Sequence, residues 1–158
     1  MSAVIVPDPA LPEEERAALA RGIAQFNEGL FFECHDTLEE AWAGARGTPR
    51  DFFQGLIQAA VGFYHLGNGN RPGATTLLRR SLARLERDPA RYAGVELAPL
   101  RASVGEWLAA LESGGGTPAR PPRIATAEEA GLARSRAGSP AALSSAGCCP
   151  SARRPASG

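Results

Sequence analysis

The chain has 158 residues with 17 basic and 17 acidic side chains, every basic one an Arg, and a formal net charge of zero; the length suits one domain of roughly 100 to 200 residues. It offers no dense basic stripe to neutralise phosphates, and no apolar run reaches the roughly 18 to 20 residues that span a bilayer, so neither a nucleic-acid binder nor a membrane-spanning chain is expected. The opening MSAVIVPDPALPEEE lacks the basic and sustained apolar regions of a secretory leader, and three Cys, two of them adjacent, make no paired framework, so a reduced cytoplasmic protein is expected.

Pro12 followed by Glu13, Glu14 and Glu15 sets a helix start whose dipole favours acids, and Leu19, Ile23, Phe26 and Leu30 then recur at helical spacing. This predicts a first helix over about Pro12 to Asn27, stopped by Asn27-Glu28-Gly29. FFECHDTLEEAW begins a second amphipathic helix that ends before Gly47 and Pro49, and Asp51 can cap a third, DFFQGLIQAAVGFYHL, apolar on nearly every side. GNGNRPG closes that helix and opens a fourth, with Pro72 in its first turn and a stripe of Leu77, Leu78, Leu82 and Leu85. A fifth covers about Leu97 to Leu111. No stretch alternates as a strand would, so the fold class is all-α, a five-helix antiparallel bundle with a central apolar helix. Gly55 and Gly62 lie seven residues apart on one side of that helix and would admit a close neighbour.

After Glu112 the composition changes. Of the 46 residues from Ser113 onward, 31 are Ala, Gly, Ser or Pro, and the large apolar ones are Ile124, Leu132 and Leu143. The expectation is therefore a helical domain over 1–112 with net charge −4, joined to a disordered tail over 113–158 with net charge +4. A short helix with a Thr cap around Thr126–Arg136 is the one element anticipated there. Removing everything after Glu112 should then leave helicity and melting temperature intact.

The chemistry-bearing residues fall on the second and third helices. At ~100° per residue, with Phe31 as zero, His35 lies near ~40° inside the apolar stripe and Glu39 near ~80° on its border, while Glu33, Asp36 and Glu40 face solvent. On the third helix Gln54, Gln58 and His65 form a polar stripe opposite Phe52, Leu56 and Phe63. Facing one another, the two stripes would gather His35, Glu39, Gln54, Gln58 and His65 in one interior pocket, because an unpaired buried polar group costs about 1 to 3 kcal/mol. Two readings stand. One is a binding or interaction module whose polar cluster is a buried hydrogen-bond network; the other is a divalent-metal or small-ligand site, even a hydrolase, with His35, Glu39 and His65 as ligands and an open position for water. Cys34 and His35 are successive on a helix and point about 100° apart, so no Cys–His nucleophile is expected. A domain of this size has limited interior, which leaves room for a homodimer, and the partner would be a protein or a small molecule.

FNEGLFFECHDTLEEAW, then FFQGLIQAAVGFYHLGNGNRPGA and a Leu/Arg-rich helix, resemble the bacterial and archaeal family labelled domain of unknown function 309. The resemblance runs over roughly 15–111 and rests on residues that include Phe26, Asn27, Gly29, His35, Glu39, Trp42, Gln54, Gln58, His65, Asn70 and Gly73. His35-Asp36 stands where that family commonly shows His-Glu. The resemblance implies a small helical bundle and carries no established reaction.

Overall fold

The computed structural model describes residues 8–137; residues 1–7 and 138–158, with Leu143, Cys148 and Cys149, lie outside the described residues. Five helices and no strand are expected from the sequence, whereas six helices and a small sheet are present: α1 Glu13–Asn27, α2 Phe31–Gly44, α3 Thr48–Gly67, α4 Arg71–Leu85, β1 Arg91–Tyr92, β2 Val95–Glu96, α5 Leu97–Ser113, β3 Ala125–Thr126 and α6 Ala127–Ala137. Three-residue connections join the first four helices. Gly29 and Gly69 turn two of these connections at φ values of 82° and 76°, where a Cβ would be strained. α3 starts three residues before Asp51, because Gly47 at φ 65° and Pro49 in the first turn set its beginning.

α3 is the central helix. It packs against α2 and α4, and its Phe63 meets Phe26 of α1 and Trp107 of α5 edge to face at 6.0 and 5.4 Å between ring centroids. The two glycines behave as the spacing predicts. A Cβ on Gly55 would fall 2.7 Å from Leu85 Cδ2, and one on Gly62 would fall 2.8 Å from Leu78 Cδ2, so α4 lies against the bare backbone of α3. Ser81 seals this contact by donating to the Gly55 carbonyl at 2.7 Å, fully buried. Gly22 likewise admits Leu38, with 2.6 Å between its notional Cβ and Leu38 Cδ2.

The sheet corrects the all-α expectation. β1 and β2 pair antiparallel across Ala93-Gly94, whose φ values of 49° and 73° are the two positive angles of a tight hairpin turn. β3 adds to β2 with Val95 opposite Thr126 and Glu96 opposite Ala125. Strands of two residues are too short to alternate, and Ala-Gly lacks the Asn-Gly or Asp-Gly signature, so neither signal was present in the sequence.

The same sheet corrects the reading of 113–137 as part of a disordered tail. The chain after α5 returns to the core and buries Ile124 completely. Asn27, at the end of α1, holds it as a strand would, donating to the Ile124 carbonyl at 2.9 Å and accepting from its N–H at 2.8 Å. α6 then begins with a reciprocal cap: Thr126 Oγ1 accepts from Glu129 N and Glu129 Oε2 accepts from Thr126 N. Burying one isoleucine contributes about 1.5 to 3 kcal/mol toward holding this segment on the core, alongside the Asn27 hydrogen bonds. No helix among the described residues is long and apolar enough to cross a membrane.

Candidate functional site

α2 packs mainly on α1 and α3, so among the described residues no further layer lies over the side of the α2/α3 pair away from the core. There Phe31, Phe32 and His35 of α2 face Val61, Tyr64 and His65 of α3 across a cleft of about 110 Å³. Phe31 forms the inner wall, stacked at 5.5 Å on Phe63 and edge to face at 5.2 Å with Phe26. Phe32 and Tyr64 form the rim at 50% and 40% exposure, 5.5 Å apart, and Phe32 also lies 5.7 Å from the His35 ring. An adjacent Phe pair opening a helix was the available signal for this rim: successive residues point about 100° apart, so only one of the two can face the core.

The two histidines therefore share a cleft, as the facing stripes predict, but it is an open one. His35 keeps 23% of its side chain exposed and Glu39 54%, so the expected interior pocket is corrected to a surface feature. Nε2 of His35 lies 3.0 Å from Glu39 Oε1, four residues on, and Nδ1 lies 3.1 Å from Asp36 Oδ1. Although that second distance is short, its direction makes no hydrogen bond, and Nδ1 is shielded from solvent without a partner. Asp36, assigned to the solvent face from the sequence, thus turns back onto the ring. Among the described residues, His35, Asp36 and Glu39 bring one ligand-capable atom each within 4.8 Å of one another, and His65 is outside that group.

His65 is committed elsewhere. Asn70 caps α4, its Oδ1 accepting from the Gly73 N–H at 3.0 Å, and this backbone donor fixes which way the amide faces. Asn70 Nδ2 is then turned toward His65 Nδ1 at 3.4 Å. Facing a donor, Nδ1 accepts, and the neutral ring carries its hydrogen on Nε2. Such a ring offers the cleft an N–H and no second free lone pair.

Gln54 and Gln58 are partly buried on α3, but Gln58 Oε1 is shielded and without a hydrogen-bond partner, as is Trp42 Nε1 on α2. A second aromatic contact of this helix pair, which the sequence did not suggest, is the Arg50 guanidinium seated 3.8 Å over the Trp42 ring. Cys34 is fully buried, and desolvation pushes its thiol up to about 12 against a smaller opposite effect of the Phe26 backbone. It is no nucleophile at neutral pH. Larger hollows of about 400 and 360 Å³ run along α1 where the 114–126 segment crosses it, lined among others by Asn27, Glu28 and Arg123, and among the described residues no cluster of three His, Cys, Asp or Glu side chains lies in them.

An uncharacterised protein of Aquifex aeolicus (strain VF5) is 28% identical over 90 residues, covering 56% of this chain and 27% of that protein. The chain thus spans about a quarter of the length of the curated relative it matches. The family described as domain of unknown function (DUF309) has a model that matches residues 19–77, a stretch that holds both histidines and every residue lining the cleft.

Proposed function

We propose that the domain is an interaction module whose recognition feature is the α2/α3 cleft, into which a protein partner places one ring-sized side chain. The observation that carries this reading is the cleft's size and wall: about 110 Å³, enclosed by aromatic and aliphatic side chains and rimmed by exposed Phe32 and Tyr64. A cavity of ~150 Å³ accommodates benzene, whereas pockets for substrate-sized molecules run to roughly 300 to 1,000 Å³. A single aromatic or branched aliphatic side chain fits; a substrate with its reacting partner does not. Exposed aromatics around a small pocket are the usual anchor of a protein interface, and Leu30, 42% exposed, lies just before α2. His65 Nε2–H and the His35 ring supply polar contacts at the same place.

Side-chain fragments test this directly. Titration of the protein with indole, phenol and isobutanol, followed by ¹H–¹³C NMR, should move resonances of Phe31, Phe32, Val61 and Tyr64 in a saturable way at millimolar fragment. Shifts spread over the surface, or none at the cleft, would defeat the proposal.

A further inference from the structure

The face that carries the cleft holds complementary parts. Its rim offers two exposed rings, Phe32 and Tyr64, beside a hollow of about 110 Å³ sized for one ring. One surface thus supplies both a side chain and a place for it, which is what a twofold interface requires, since both copies use the same patch. The charges are laid out in the same way. Phe31, the cleft's inner wall, also borders the hollow lined by Arg120, Pro121 and Pro122. Arg120 is exposed and forms no ion pair among the described residues, whereas Arg123 is held by Glu129 at 3.5 Å; Glu28 lines the same hollow without pairing with Arg120. Farther along α2, Asp36 and Glu39 are 61% and 54% exposed and meet only the His35 ring. An unpaired cation therefore flanks the cleft at the start of α2, and two acids flank it roughly 8 to 12 Å along the helix at about 1.5 Å per residue.

Resting on the reading of the cleft as a socket for one protein side chain, we infer that its partner is a second copy of this chain. A twofold axis crossing α2 near Phe32 and His35 sets the two α2 helices antiparallel, and the two α2/α3 pairs stack as four helices. Phe32 of each copy enters the cleft of the other, and Arg120 of each lies opposite Asp36 and Glu39 of the other. An axis running along α2 would instead set Arg120 against its own copy, so the charges select the antiparallel arrangement. One ring per cleft and exposed ion pairs contribute modestly, so the dimer is weak and fills only at high chain concentration.

Sedimentation equilibrium of the full chain in reducing buffer, which keeps Cys148 and Cys149 from linking copies, should show a monomer–dimer equilibrium. Phe32→Ser should weaken it roughly tenfold or more. Arg120→Glu should weaken it about two- to fivefold, and Glu39→Arg added to Arg120→Glu should restore it. All three side chains are exposed, so the variants keep the fold, which circular dichroism confirms. A chain that stays monomeric, or a dimer that survives Phe32→Ser or is not restored by the charge exchange, would overturn the twofold assignment. A monomer whose cleft still takes indole would overturn the second copy alone, and a monomer that takes none would defeat the socket as well.

Discussion

The two sides of α3 are built on opposite plans. Toward α4 it presents Gly55 and Gly62, Leu78 and Leu85 press onto bare backbone, and Ser81 donates to the Gly55 carbonyl. Toward α2, near its C-terminal end, it presents Val61, Tyr64 and His65, and the helices leave a cleft with two aromatic rings half in solvent. The first side is closed by small residues and a buried hydrogen bond. The second keeps large apolar groups exposed and a shielded imidazole nitrogen unpaired, both of which cost stability. On the proposed reading, stability and recognition fall on different faces of one helix.

The strongest way to break that division is to open the closed part of the molecule. Truncation after Glu112 removes Ile124, both Asn27 hydrogen bonds and the β3 partner of Val95. Replacing a buried isoleucine with alanine alone costs about 2 to 5 kcal/mol, so the truncated chain should melt well below the full one. Thermal denaturation of the truncated chain and of Ile124→Ala measures it. An unchanged Tm in both would restore the view that folding ends at α5.

How far this was legible follows from the same residues. Helices α1 to α5 announce themselves because Leu, Phe and Ile recur every three or four residues over fourteen or more positions, and Gly55 and Gly62 share a side at a spacing that only a close neighbour explains. Ile124 was visible as an isolated apolar residue, but a lone Ile between Pro-Pro-Arg and Ala-Thr-Ala has no period. Its anchoring depends on Asn27, 97 residues earlier, a pairing no local pattern records. At the site, wheel geometry placed His35 beside Glu39 and both histidines on facing helices. It could not show Asp36 turning back or Asn70 engaging His65, because both depend on side-chain rotation rather than on helix phase.

A smaller effect tests an unpaired buried group beyond the cleft. Asp88 is 6% exposed with Oδ2 unpartnered, and desolvation, then the Asp51 charge, push its carboxyl above the ordinary 3.8 against the opposing pull of Arg101. With the folded value raised, the unfolded chain gives up this proton more readily. Stability from Asp88 is thus fully present below the unfolded value and is lost as pH rises through the folded one. Asp88→Asn should remove this dependence. The Tm difference between variant and parent should grow in the variant's favour from pH 4 to pH 7, and a constant difference across that range would contradict the buried carboxylate's cost.

The smallest stability effect belongs to the open side, where it is most informative. Phe32 is 50% exposed and contacts Tyr64 and His35 rather than the core. Phe32→Ser should therefore change stability by no more than about 0.5 kcal/mol, the range of surface substitutions, while reducing binding of indole and phenol several-fold. The reduction follows from losing one of the cleft's walls, since aromatic contacts contribute about 0.5 to 1.5 kcal/mol beyond their buried area. Denaturant unfolding and fragment titration on the same sample separate the two effects. A large loss of stability with unchanged fragment binding would mean that Phe32 belongs to the core side after all, and that the two faces of α3 are not divided in the way their packing indicates.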